Sequence, residues 1–253
     1  MDVSDRLLGF RNSTADLSSV ITDVSQSLDM WSGYLSSNFS LSGQSVRVTT
    51  AVGTEDAVAV QLRSQLLSHG LHLRLAFPYG SKGFSGDGAD WNRPGDHTST
   101  ISVTAAPEGG VHALIKRQLD GDSYSVLVHV EAAGSTVVAG DQPHLFEIRS
   151  PAGATEVSVT VSFSADEAIA QSFDTTLQQS ADSWEEFWMA GAAIEFDSST
   201  DSRAAMLEKQ TVMSMYMLQS QEAGSLPPQE TGLTSNSWYG KFHGEMRMWH
   251  QSW

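Results

Sequence analysis

The chain has 253 residues, with 14 Lys plus Arg against 30 Asp plus Glu, a formal net charge of −16 and no cysteine. That balance argues against a nucleic-acid binder, which needs clustered cations to neutralise phosphate, and against docking on an anionic membrane. The missing thiols exclude cysteine nucleophiles, cysteine-ligated zinc and disulfide staples, while 40% hydrophobic residues suffice for a sizeable core.

The first segment, Met1 to Val24, has no basic stretch followed by an apolar one, so no secretory signal is read in this chain. No apolar run approaches the roughly 20 residues that span a bilayer, so no membrane partner is expected. Asn12 and Asn38 each begin an N-x-[ST] triplet. Such triplets suit a secreted chain, and an extracellular full-length protein is compatible with them, but they do not fix the localisation.

From about residue 45 to 163 the pattern has a period of two. Leu71, Leu73, Leu75 and Phe77 share one face of an alternating run, and Val46 and Val48 begin another. Alternation of this kind places one face on a core and the other in solvent. Further runs cover Ala57 to Leu62, Thr98 to Thr104, Val111 to Leu119, Tyr124 to Val130, Leu145 to Ile148 and Glu156 to Phe163. Asp120-Gly121-Asp122 lies between two of them and reads as a hairpin turn. Many short strands without an intervening helical period predict a large antiparallel sandwich over residues 1–164.

Beyond Phe163 the pattern turns helical. Ala165 to Gln179 and Asp182 to Met189 are expected as short helices of a linker, residues 165–200. In it, Trp184, Phe187 and Trp188 form an aromatic stripe packed on the sandwich. Residues 202 to 221 read as a longer helix, capped by Asp201 or Ser202 and ended by Gly224. Thr211 to Leu218 is apolar nearly all round, which predicts burial on most sides in a helical barrel or bundle, the methionines serving as core filler, and exposed apolar surface on residues 203 to 253 where that barrel is incomplete. Pro227, Pro228 and Gly232 interrupt helix, and Trp238 to Trp253 resumes it.

The segment from Asn236 to His250 carries the most chemistry. Trp238, Lys241, His243, Glu245, Trp249 and His250 fall within it, delivered by a Pro/Gly loop to the start of a helix. Sugar rings have apolar faces, on which aromatic side chains stack, and hydroxyl edges, which Lys, His and Glu bond. An oligosaccharide or glycoside is therefore the expected partner, with these six residues binding substrate. Blander roles compete: Trp249 and Trp253 as core, Lys241 with Glu245 as a surface ion pair. His243 and His250, seven apart, lack a third ligand, so no metal and no cofactor are expected.

Trp184-Glu185-Glu186-Phe187-Trp188, Leu226-Pro227-Pro228-Gln229-Glu230-Thr231-Gly232-Leu233, and Trp238-Tyr239-Gly240-Lys241-Phe242-His243-Gly244-Glu245-Met246 with Trp249-His250 resemble the six-hairpin glycosidases. More narrowly, they are similar to proteins related to glycoside hydrolase family 65, the clan of maltose phosphorylases and acid trehalases. The resemblance implies a mainly β plus α chain: an N-terminal β-supersandwich over 1–164, a helical linker over 165–200, and the first hairpin of an incomplete (α/α)6 barrel over 201–253. It implies a carbohydrate-active enzyme that hydrolyses or phosphorolyses α-glycosidic bonds with inversion. In that family the corresponding loop reads Gly-His-x-Phe-Trp-Asp-x-Glu. Here Lys241 replaces the His, Gly244 replaces the Trp, and Glu245 stands at the Asp that holds the sugar. The family's general acid lies farther along the barrel, so it is expected beyond Trp253, and the chain is expected to be a truncated fragment, inactive alone.

Two other readings remain. In one, the sandwich alone serves as a non-catalytic carbohydrate-binding or scaffold protein. In the other, the enzyme is a lyase on acidic polysaccharide, which the charge of −16 opposes by repulsion.

Overall fold

A computed structural model describes residues 20–54, 56–80, 89–221 and 223. The chain divides into two compact units, Met1–Pro78 with Arg93–Trp184, and Tyr79–Asn92 with Glu185–Trp253. Thirteen strands and two α-helices occur among the described residues.

The first unit holds an eight-stranded antiparallel sheet. Its strands are β1 (Ile21–Asp29), β2 (Tyr34–Leu41), β3 (Gln44–Val52), β4 (Ala57–Arg63), β8 (His97–Ala105), β9 (Val111–Leu119), β10 (Asp122–Val130) and β13 (Glu156–Ser164). They lie in the order β1-β2-β3-β4-β13-β10-β9-β8. A second sheet, β11-β12-β5, joins Thr136–Ala139, Leu145–Arg149 and Leu73–Ala76. The sandwich expected from the alternation is present, and helices follow it.

Register explains the core. Val157, Val159 and Val161 of β13 pair with Leu62, Val60 and Val58 of β4, while Val128 and Val130 of β10 pair with Val161 and Val159. Paired residues share a face, so these valines make one apolar surface. Val137, Phe146 and Ile148 of the smaller sheet join the same buried cluster. Burying each such side chain contributes about 1.5–3 kcal/mol.

The opposite face of the large sheet is small and polar. Ala57, Ala59, Ser158, Thr160 and Ser162 are buried there. In the first unit, helix α1 (Phe173–Phe187) packs against this face through its residues up to Trp184: a Cβ on Gly53 would fall 2.6 Å from Gln179 Oε1 and 3.0 Å from Thr176. Thr176 and Ser180 are buried, and Ser180 Oγ donates to the Ser32 carbonyl. Gly33, at φ 71°, lies so close to the Trp184 indole that a Cβ would overlap it at 2.1 Å.

Three expectations are corrected. Strands β1, β2 and β11 were not foreseen. Residues 165–172 are not helical, and a single helix replaces the two expected. Its start is set by Ser172, whose Oγ accepts from Thr175 N, and by Glu131, whose Oε1 accepts from Phe173 N at 2.5 Å.

The second unit contains the short pair β6 (Tyr79–Gly80) and β7 (Ala89–Asp90), a π-type turn over Trp188–Ala192, and α2 (Ala204–Gln221). Asp201 supports the start of α2 by accepting from Arg203 N and from the Arg203 guanidinium. The burial that the composition of α2 predicts for a helical barrel is not present, and the apolar surface expected where that barrel is incomplete is: none of its residues is buried, and Met206, Leu207, Met213, Met217 and Leu218 are exposed. Among the described residues of its unit, no second helix offers an apolar face to cover it. No described helix is long and apolar enough to cross a membrane.

Candidate functional site

Trp238, Lys241, His243, Glu245, Trp249 and His250, the residues expected to bind sugar, lie outside the described residues, as do Gly224 and the loop between them. Among the described residues, two clusters of histidines with charged partners lie in the first unit, besides the Glu147 carboxylate held by Arg149 and near His72.

One is on the small-residue face of the large sheet. The turn between β8 and β9 is tight: Gly109 N donates to the Ala106 carbonyl, and Ala106 N to that of Gly110. Gly110 sits at φ 111°, and a Cβ there would fall 2.2 Å from the Val130 carbonyl oxygen, so only glycine lets the turn lie against the end of β10. This placement carries Glu108 to two histidines. His112 of β9 and His129 of β10 are direct cross-strand partners. Their rings meet edge to face at 4.8 Å. Glu108 Oε1 is 3.1 Å from His129 Nε2 and 3.6 Å from His112 Nε2.

The His129 ring is fixed. It is 3% exposed, and its Nδ1 lies 2.9 Å from the Gln171 carbonyl oxygen. A carbonyl only accepts, so Nδ1 carries a proton, and in the neutral ring Nε2 presents its lone pair to Glu108 and His112. The Nε2 atoms of both histidines are buried and make no hydrogen bond. A cavity of about 680 Å³ adjoins the cluster, lined among others by Glu108, His129, Glu131, Gln171, Thr175 and Gln179.

The sequence held a signal for this pairing. His112 stands eight residues before Asp120, and His129 eight after Gly121. A two-residue hairpin at Asp120-Gly121 sets them opposite one another, as the register confirms. Glu108 was not legible, because its position depends on the turn at Gly109-Gly110.

The other place is the core end of β8 and β9. Arg117 is 1% exposed. It donates from Nη1 to His97 Nδ1 at 2.8 Å and Ser99 Oγ at 2.6 Å, from Nη2 to the Pro78 carbonyl, and from Nε to the Tyr124 hydroxyl. Its guanidinium also lies 5.0 Å from the Phe77 ring centroid. His144 donates from Nε2 to the Pro94 carbonyl and accepts from Ser99 at Nδ1. His97 stacks on His144 at 3.7 Å. Burial first, then the neighbouring His144 and Arg117, push the His97 pKa down from 6.5 to about 4, against a smaller opposing pull from Asp96. The network satisfies a buried cation and keeps His97 neutral, which is a structural task.

No family model and no curated protein matches the chain. Among solved structures, a protein from the human microbiome assigned as a kojibiose phosphorylase aligns with a TM-score of 0.55 at 10% identity, over 89% of this chain and 32% of its own. The two share a fold. The chain thus spans about a third of that protein's length. A sandwich followed by helices is the order that the resemblance to glycoside hydrolase family 65 implies, and at this identity the likeness is one of fold.

Proposed function

We propose that this chain is part of a carbohydrate-active enzyme of the glycosidase or glycoside phosphorylase kind, acting on an oligosaccharide. Supporting it is the shared fold over 89% of the chain with a protein assigned as a sugar phosphorylase. The sugar-suited composition of residues 236–250 points the same way. In this reading 1–164 is the supersandwich, 165–200 the linker and 201–253 the start of a barrel. Trp238, Lys241, His243, Glu245, Trp249 and His250 then line one wall of the saccharide pocket, with α-linkage and inversion following the family. The general acid, which protonates the leaving oxygen whether water or phosphate attacks, then comes from elsewhere in the barrel, as in the family.

The experiment is a pair of measurements on the 253-residue chain. Turnover of α-linked glucose disaccharides, including kojibiose, with water or phosphate as acceptor is expected to be undetectable; measurable turnover overturns the incomplete-site reading. Ligand-detected NMR with the same sugars is expected to show weak binding that Glu245→Ala and Trp238→Ala abolish. Binding that both variants leave intact favours instead the non-catalytic reading, in which the sandwich holds the sugar. A specific observation makes that second reading concrete: the 680 Å³ cavity belongs to the sandwich unit, and its size is ordinary for a small-ligand site.

A further inference from the structure

We propose that Glu108, His112 and His129 bind a divalent cation of the zinc class, with the fourth coordination position facing the adjoining cavity. The donor set is two imidazole nitrogens and one carboxylate, which suits zinc and neighbouring transition ions rather than magnesium or calcium.

Geometry supports this. Metal–ligand bonds of about 2.0–2.1 Å at tetrahedral angles put ligand atoms about 3.3 Å apart. The carboxylate oxygen lies 3.1 and 3.6 Å from the two Nε2 atoms, either side of that value. All three ligand atoms lie within 4.8 Å of one another, and a shared ion, which holds two nitrogens no more than about 4.2 Å apart, draws the two imidazoles together on binding. His129 is oriented as bound histidines are: its other nitrogen donates to a backbone carbonyl, which fixes the tautomer and turns the Nε2 lone pair toward the other two groups. The two histidines lie on paired strands in a fixed register, and the turn at Gly109-Gly110 brings Glu108 to them.

An imidazolium–carboxylate pair without metal explains less. Glu108 reaches only one ring at hydrogen-bond distance, 3.1 Å from His129 Nε2 against 3.6 Å from His112 Nε2, and the buried His112 Nε2 is left without a hydrogen bond. One cation serves both lone pairs and the carboxylate together. Glu108 is the half-exposed ligand, with its side chain 54% accessible, so an ion can enter from solvent. A net charge of −16 also raises the local cation concentration.

The test uses the full 253-residue chain, stripped with chelator and titrated with Co(II). The expected result is one equivalent with the intense visible bands of a tetrahedral ion, displaced by Zn(II), and a rise in Tm with Zn(II) that Mg(II) does not produce. Glu108→Gln and His112→Gln, at side chains more accessible than that of His129, are expected to fold and to weaken Co(II) binding by about tenfold or more. His129→Gln is expected to abolish it. His69→Gln, at an exposed histidine elsewhere in the unit, is the control and leaves binding unchanged. Three outcomes overturn the proposal: no tetrahedral spectrum in the parent chain, a spectrum of equal affinity in both Glu108→Gln and His112→Gln, or equal stabilisation by Mg(II). The second of these would move the ion to other histidines, among them His243 and His250.

Discussion

His97 should make the sandwich acid-sensitive by a calculable amount. Its folded pKa is about 4 against 6.5 for the free side chain, chiefly because the ring is buried. For a base with a depressed folded pKa, the unfolded chain binds the extra proton. Stability is therefore whole above pH 6.5, falls as pH drops from 6.5 to 4, and changes no further below. Summing proton binding across that window, the loss relative to neutral pH is about 2 kcal/mol at pH 5 and about 3 kcal/mol at pH 4. Carboxylates add losses of their own at low pH: Glu147 is held below its usual range by Arg149, and it loses its contribution as pH falls toward 4.5 and beneath. The difference between parent and His97→Asn cancels those. Asn keeps an acceptor toward Arg117 but does not titrate. Urea unfolding at pH 7, 6 and 5 is the assay. The parent should lose about 2 kcal/mol more than His97→Asn between pH 7 and 5. A difference below about 0.5 kcal/mol, or an NMR titration of His97 near 6.5, refutes the reasoning.

Ile115, fully buried between β10 and β8, should cost about 2–5 kcal/mol as Ile115→Ala in urea unfolding, whereas Val103→Ala, at a residue 48% exposed, should cost under about 0.5. Gly110→Ala should destabilise by more than about 2 kcal/mol, since its Cβ meets the Val130 carbonyl, while Gly43→Ala, also at positive φ but with nothing within 4 Å, should cost about 1–2; equal costs would remove the close approach from the explanation. Ala57→Leu should cost about 1–3 kcal/mol, because a larger side chain has no room near Thr176 of α1; a neutral result would show that the helix does not sit tightly there. The exposed apolar residues of α2 should bind ANS, and the triple change Met206→Gln, Leu207→Gln and Met213→Gln should lower that fluorescence severalfold; unchanged fluorescence places the apolar surface elsewhere.

A strand is readable where burial imposes an apolar residue at every second position over several residues. Val157, Val159 and Val161 announce β13 because burial on one face demands an apolar residue at every second position. β1 is exposed along nearly its whole length, so Thr22, Ser25 and Gln26 were free to be polar and left no alternation to read. The start of α1 was misplaced by eight residues for a similar reason. Ala165 to Ala170 has helix-forming composition, but the helix begins where Ser172 and Glu131 satisfy its first donors, and Glu131 is 42 residues away in sequence. The composition of α2 states what the helix wants covered and not what covers it, and its apolar side chains stand exposed. The sugar-binding residues fall beyond what the structure describes, so the resemblance stands for them on sequence.

The two faces of the large sheet solve different problems, and the histidine cluster follows from the difference. The face toward β11-β12-β5 meets another sheet, whose Val137, Phe146 and Ile148 join an apolar layer that gives way to the Arg117 network at the end of β8 and β9. The other face is lined by the small, buried Ala57, Ala59, Ser158, Thr160 and Ser162, and α1 is held beside it through Ser32, Gly53 and Glu131. Small side chains leave space where the helix has not yet begun, beside residues 169–172. His129 enters that space from β10 and ties the sheet to the Gln171 carbonyl. A buried imidazole there needs partners for both nitrogens. One is met by the backbone; the other is met only by what Glu108 and His112 can gather around it.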